Sequence, residues 1–268
     1  MLDAPPNPRT ILHHFGRRLS EFDAPFAKSL ALLDVSAGEP VSHSRGLDIT
    51  PQLAGAPRIV TSGWACYMRP HESRRRQIFG FLLPGDVIGS FWRRPEYAFW
   101  RLSALTRLST VSVEGLLAAG PDGRFAYPEI VKAARRAEDH AHHLLVDHIV
   151  RLGARDAYAG LAHLLLELHA RLGRVGLARD DVFPLPIGQR VLAQTLGFSV
   201  AHTNHTLQRM TADGLFVVEG EVVRLLQPDR MAALAQFAVS DPKAMMLDSS
   251  SVKGLQHEPE VHHHNQGR

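Results

Sequence analysis

Between residues 32 and 113 the apolar positions come in short runs broken by Gly and Pro. Arg58-Ile59-Val60, Gly63-Trp64-Ala65-Cys66-Tyr67-Met68, Gln77-Ile78-Phe79-Gly80-Phe81-Leu82 and Thr110-Val111-Ser112-Val113 follow one another at intervals that suit strands. That spacing predicts an antiparallel all-β unit. Leu83-Pro84-Gly85-Asp86-Val87-Ile88-Gly89 reads as a turn flanked by apolar residues. Ahead of this unit, Ile11, Phe15, Leu19 and Phe22 stand three or four apart, so a short helix is expected over 11–26 in an otherwise peripheral N-terminal stretch.

From 127 to 152 the period changes. Ile130, Ala134, Ala137, Ala141, Leu144 and His148 step by four and three, a heptad-like stripe built mostly of small residues. Such a helix can pack on its own domain or pair with a symmetry mate; the expectation is a dimerisation helix with this stripe at its interface. A second helix is expected over 157–172, with Leu161, Leu164, Leu165 and Leu168 on one face.

Residues 188–226 carry the most informative pattern. A short helix over 188–196 has Val191, Leu192 and Leu196 as its apolar positions, and Gly197-Phe198-Ser199 forms a tight turn. A second helix runs over 200–213, with Ser199 as N-cap and Gly214 at its C-terminal side. Residues 215–218 and 221–226 then read as two strands around Glu219-Gly220, a β-hairpin wing. Two short helices joined by a Gly-containing turn and followed by a hairpin make a winged helix-turn-helix. In such a motif the second helix enters the DNA major groove. Val200, Ala201, Asn204, His205 and Gln208 share one face of it and are the candidate base contacts. Asn and Gln can pair bidentately with adenine, and Val or Ala can touch a thymine methyl. Leu207 and Met210 anchor the opposite side. Gln189, Arg190, Ser199 and Arg209 are the candidate phosphate contacts.

Composition narrows the class further. A chain of 268 residues with 45% hydrophobic and 21% charged side chains is globular and long enough for two domains. Cys66 is the only cysteine, which excludes an intramolecular disulfide and a Cys-ligated zinc or iron–sulfur cluster within one chain, and fits a reducing compartment. No apolar run approaches the roughly 20 residues of a membrane helix, and no apolar segment of a secretory signal follows the proline-rich start, so a cytoplasmic location is expected. The enzyme motifs G-x-S-x-G, H-E-x-x-H, G-x-G-x-x-G and a phosphate loop are absent, and no catalytic role is expected. His143 and Asp147 have metal-ligand spacing beside His140 and His142, yet no third ligand is assured; no metal or other cofactor is expected. Arg74-Arg75-Arg76 reads as a solvated hairpin turn, and the polar stretch from 241 to 268, with His262 to His264, as a disordered tail.

Charge does not argue for a nucleic-acid partner. The net charge is +3. Residues 1–126 hold 15 basic and 11 acidic side chains, whereas 153–240 hold 8 of each. A DNA reader so balanced should show a modest salt dependence.

Arg76-Gln77-Ile78-Phe79-Gly80-Phe81-Leu82-Leu83-Pro84-Gly85-Asp86-Val87-Ile88-Gly89 resembles the β-roll signature of the Crp/Fnr transcription regulators. Residues 153–177, with Ala162-His163-Leu164-Leu165-Leu166-Glu167-Leu168, are similar to the segment that follows the dimer helix in that family's FixK-like alphaproteobacterial branch, and 189–215 resemble its helix-turn-helix. The resemblance covers about 30–238 in the family's order. It implies an α+β chain with a cyclic-nucleotide-binding-like β-roll over 1–126, a dimerisation helix over 127–152 and a winged helix-turn-helix over 153–240. It further implies a homodimer on double-stranded DNA at a near-palindromic site, with RNA polymerase as partner and an unidentified small-molecule effector shifting the orientation of the readers. Two departures qualify it. The ribose-binding Glu and the phosphate-binding Arg pair of cyclic-AMP-binding members are replaced by Ser90 and by Phe99-Trp100, with Arg101 displaced, and Trp92, Tyr97, Phe99 and Trp100 can fill the pocket instead. Ala201 and His205 stand where many members have Glu and Arg. The expectation is therefore a regulator that does not answer to cyclic AMP. The alternative is a dimeric ligand-sensing or protein-binding regulator with a weakened DNA reader.

Overall fold

The alternation of buried and exposed positions in the N-terminal half builds two small antiparallel sheets. In the computed structural model, which describes residues 13–20, 38–53, 57–70, 76–88, 100–117 and 119–238, the strands are β1 (Val41–His43), β2 (Arg58–Ser62), β3 (Ala65–Pro70), β4 (Arg76–Leu82), β5 (Val87–Ile88), β6 (Arg101–Ala104) and β7 (Leu108–Ser112). One sheet has the order β1-β7-β2-β5 and the other β4-β3-β6. Val60, Ile88 and Leu108 of the first and Ala65, Leu82, Leu102 and Ala104 of the second meet with Ile49 and Trp100 in one core. The short, β-branched and aromatic runs suit strands because side chains standing on a pleated surface pack into such a layer. Between β4 and β5 the turn requires Gly85: its φ is +93°, and a Cβ there would come within 2.9 Å of the His14 carbonyl oxygen. Asp86 holds the same turn by accepting from the Leu83 N–H at 2.8 Å.

The N-terminal helix α1 spans His13–Ser20. Its described part is not peripheral. Phe15 is 0% exposed and packs with Ile59, Val113, Leu116, Ile130, Ala133 and Ala137. His14 adds a bond of 2.9 Å to the Val175 carbonyl. Of the 11–26 reading, residues 11–12 and 21–26, with Ile11 and Phe22, lie outside the described residues. A short helix α2 (Glu114–Leu117) follows β7.

Helix α3 runs over Pro128–Ala154 with Pro in its first turn, where the missing N–H costs nothing. At about 1.5 Å per residue it is roughly 40 Å long. The expected interface stripe takes part in the packing of its own chain. Ile130, Ala134, Ala137 and His148 are buried within their own chain, and Ala134, Ala137, Ala141, Leu144 and His148 border a cavity of about 110 Å³ against β4. The small side chains let α3 approach the chain's own sheets. The apolar positions left open on α3 are Val146 (56% exposed), Ile149 (61%), Val150 and Leu152.

Helix α4 (Ala157–Arg174) starts at Asp156, whose carboxylate accepts from the Ala159 N–H at 2.8 Å. Its leucines enter a core shared by Trp64, Cys66, Met68, Ile78 and Phe81 of the β4-β3-β6 sheet and by Phe183, Leu192, Leu196, Met210, Leu215, Phe216 and Val223 of the C-terminal part. Among the described residues, no helix is long and apolar enough to cross a membrane. Cys66 is fully buried in this core, and burial pushes its thiol up to about 12, far from thiolate chemistry.

Candidate nucleic-acid interface

Four elements shape the site: helices α5 (Gln189–Leu196) and α6 (Val200–Ala212), and the strands β9 (Phe216–Glu219) and β10 (Val222–Leu225). A strand that the sequence pattern does not predict, β8 (Val182–Pro184), pairs with β10 and widens the wing to three strands. A further helix, α7 (Pro228–Ala235), closes the C-terminal side through Met231 and Ala235.

The corner between α5 and α6 is set by local chemistry. Gly197 takes the left-handed conformation at φ 75°, and its N–H closes α5 on the Ala193 carbonyl. Ser199 caps α6 by accepting from the His202 N–H at 3.1 Å. Its hydroxyl is thereby committed as an acceptor to the helix start, leaving only its own O–H for a phosphate. Thr203 and Thr206 donate back to the Ser199 and His202 carbonyls at 3.0 and 2.9 Å, which satisfies two buried hydroxyls.

The faces of α6 then separate. Thr203, Thr206 and Met210 are buried, and Leu207 packs partly buried against the core. Val200, Ala201, His205 and Gln208 are exposed and Asn204 is half-buried, so the five candidate base contacts lie along the open side. Gln189 and Arg190 are exposed at the start of α5. Arg209 is exposed too, with its guanidinium 5.1 Å from the centre of the Tyr158 ring. His202 joins the open side and was missed. It stands three residues before His205 on the same turn, with its ring 5.1 Å from that of Phe198; i, i+3 spacing from His205 is the signal that could have found it. The wing tip carries exposed Glu219 and Glu221, and exposed Arg224 lies along β10.

Behind this open face lies a buried polar cluster, which no sequence pattern announced. Arg171 donates to Asp86 at 2.7 Å, to the Phe81 carbonyl at 2.8 Å and to Glu167 at 3.2 Å. Arg151 bonds Glu167 and also His163 Nδ1 at 3.0 Å and His148 Nδ1 at 3.4 Å. Arg18 of α1 pairs with Asp86 at 3.2 Å. Burial works to raise the Glu167 carboxyl, but Arg151 and Arg171 outweigh it and hold it below the usual carboxylate range. His148 and His163 are pushed down to about 4, first by burial and then by Arg151. His140 is pushed down to about 3, by burial and then by Arg18. The cluster ties α1, α3, α4 and the β4–β5 turn together.

The residues expected to decide cyclic-nucleotide binding fall in two places. Trp100 is buried in the core of the roll, edge-on to Tyr67 at 5.2 Å. Arg101 points away from that core and pairs with Asp48 at 3.3 Å on the exposed side. Ser90, Trp92, Tyr97 and Phe99 lie outside the described residues, as do Arg74, Arg75 and the 241–268 tail. Among the described residues, no group of three or more His, Cys, Asp or Glu is placed to hold a metal ion. His140 instead bonds Arg174 at 2.9 Å, while His142 and His143 are exposed.

Comparison with known proteins places this geometry. A family model of the Crp-like helix-turn-helix domain matches residues 161–234. The nitrogen fixation regulation protein FixK of Bradyrhizobium diazoefficiens is 30% identical over 164 residues, covering 60% of this chain and 66% of that protein. The transcriptional activatory protein AadR of Rhodopseudomonas palustris is 30% identical over 167 residues, covering 60% of this chain and 65% of that protein. Both matches thus fall just short of two thirds of the relative's length. The structure of FixK2 from Bradyrhizobium japonicum shares the fold, with a TM-score of 0.60 at 22% identity over 75% of this chain and 98% of that one.

Proposed function

We propose that this chain is a FixK-like regulator of the Crp/Fnr type, as its Crp-like helix-turn-helix and its likeness to FixK and AadR support, and that it binds double-stranded DNA as a homodimer at a near-palindromic site and regulates transcription with RNA polymerase as partner. The observation that carries this reading is the open face of α6. Val200, Ala201, Asn204, His205 and Gln208 line up on the outer side of an N-capped helix whose other side is fixed to the core. A helix held in that way fits the major groove, with its first two turns toward the base edges. Gln189, Arg190, Arg209 and the O–H of Ser199 flank it as phosphate contacts.

The second copy docks on α3. The partner face is the open apolar row Val146, Ile149 and Val150 rather than Ile130, Ala134 and Ala137, which the chain's own packing uses up. Two-fold symmetry then sets the two α6 helices about one DNA turn, roughly 34 Å, apart. Cyclic AMP is not the signal in this reading. Trp100 is part of the core of the roll, and Arg101, displaced from the aligned pair, is engaged with Asp48; a buried cyclic phosphate without a positioned Arg is poorly paired. Selection of bound sites from a random DNA pool with the purified protein tests the reading. Enrichment of a palindromic consensus is expected; no enrichment at any salt concentration would contradict it.

A further inference from the structure

Where α3 gives way to α4, one side chain reaches the end of α6. Tyr158 is the second residue of α4, only four positions beyond the last residue of α3. Its hydroxyl donates to Asp213 Oδ2 at 2.6 Å. Its ring lies 5.1 Å from the guanidinium of Arg209. Asp213 is the C-cap of α6 and returns its own N–H to the Arg209 carbonyl at 2.9 Å. One aromatic residue thus touches both the end of the recognition helix and the cation on its last turn.

Arg209 and Asp213 stand at i, i+4 spacing, where a helix tends to pair opposite charges. Such a pair would draw Arg209 away from an incoming phosphate. Here the carboxylate of Asp213 is committed to Tyr158, and the guanidinium rests on the ring. Burial first, and then the bond to Asp213, raise the Tyr158 phenol above its ordinary value, so it remains a protonated donor. A ring surface holds an Arg by attraction of the cation to the π face while leaving its N–H groups free to donate outward. An Arg ordered before DNA arrives loses less side-chain freedom on binding.

We infer that Tyr158 is a positioning residue of the DNA reader: it holds Arg209 and the C-terminal end of α6 in the orientation that engages the DNA backbone. The inference rests on the regulator reading and deepens it. Because Tyr158 belongs to the first turn after α3, the same contact fixes the recognition helix relative to the dimerisation helix.

The test measures affinity of the full-length protein for its selected DNA site as a function of salt, with far-ultraviolet circular dichroism to verify folding. Arg209→Gln should lower the slope of log affinity against log salt by about 0.9 per reader, the value of one phosphate contact. Tyr158→Leu should lower it by a similar amount although the charge of the protein is unchanged. Tyr158→Phe, which keeps the ring but releases the Asp213 carboxylate, should lower the slope by less than Tyr158→Leu does. Tyr158→Leu added to Arg209→Gln should lower it no further. An unchanged slope in Tyr158→Leu or in Arg209→Gln would overturn the inference, as would a loss in Tyr158→Phe equal to that in Tyr158→Leu. Failure of the unaltered protein to bind any DNA would sink the regulator reading, and the positioning role with it.

Discussion

The junction between α3 and α4 and the open face of α6 draw on the same kinds of side chain and use them in opposite ways. At the junction Arg151, Arg171, His148, His163 and Glu167 are buried and answer one another. On α6, Asn204, His205, Gln208 and Arg209 lie toward solvent, with the helix held from behind by Thr203, Thr206 and Met210. A polar group out of water must find its partners within the fold, whereas one left in water remains available to a ligand. The junction therefore bears on stability and orientation, and the α6 face on recognition. Substitutions at the two should separate cleanly.

The largest expected effect is at the junction. Glu167→Ala leaves Arg151 and Arg171 buried without their shared carboxylate and should destabilise the fold by about 3–5 kcal/mol, read as a fall in the denaturant midpoint. A loss below about 1 kcal/mol would mean that water or a rearranged Asp86 serves both guanidiniums, and the junction would not differ from a surface.

Acid should reveal the same contrast without mutation. His148 and His163 titrate near 4 in the folded chain and His140 near 3, against an ordinary 6.5. Between those limits the unfolded chain binds more protons than the folded one, so stability falls as the pH drops from about 6.5 toward 4. The depressed Glu167 carboxyl acts in the same direction below its ordinary value of 4.5. The total should be on the order of several kcal/mol, and thermal melts across that range should show it. A flat profile would mean that these imidazoles are charged in the native state.

On the α6 face the order reverses. Gln208→Ala or Asn204→Ala should leave the melting temperature almost unchanged and cost about 1–3 kcal/mol of specific DNA binding, measured as discrimination between the selected site and a mutated one. His205→Arg, which adds a guanidinium fork where an imidazole stands, should tighten binding and shift the preferred sequence; no change in either would place His205 away from the bases. The smallest effect belongs to the boundary between the two regimes. Ser199→Ala removes the α6 cap and should lower stability by about 1 kcal/mol, with Ser199→Asp restoring most of it.

The sequence made the reader legible and the junction opaque, for a physical reason. Ser199, Gly197 and the spacing of Val191, Leu192 and Leu196 act locally, so the corner and its N-cap follow from a few neighbouring residues. The open face of α6 follows from helical periodicity alone, apart from His202. Strand β8, in contrast, exists only because β10 accepts it from some forty residues away. The cluster of Arg18, Asp86, Arg151, Glu167 and Arg171 joins segments up to about 150 residues apart, and its members read in sequence as ordinary solvent-facing charges. The stripe on α3 shows the same limit of local pattern. Small residues at three-and-four spacing show that something packs closely, and within this chain α1, α2 and β4 do so.

Hydroxyl-radical footprinting of the protein on its selected site shows whether two copies of the open α6 face read one DNA duplex. Two protected tracts are expected on one side of the duplex, centred about one helical turn apart, both lost from the footprint when Gln208 and Asn204 are replaced by Ala together. A single tract, or protection that survives that double replacement, would contradict that expectation.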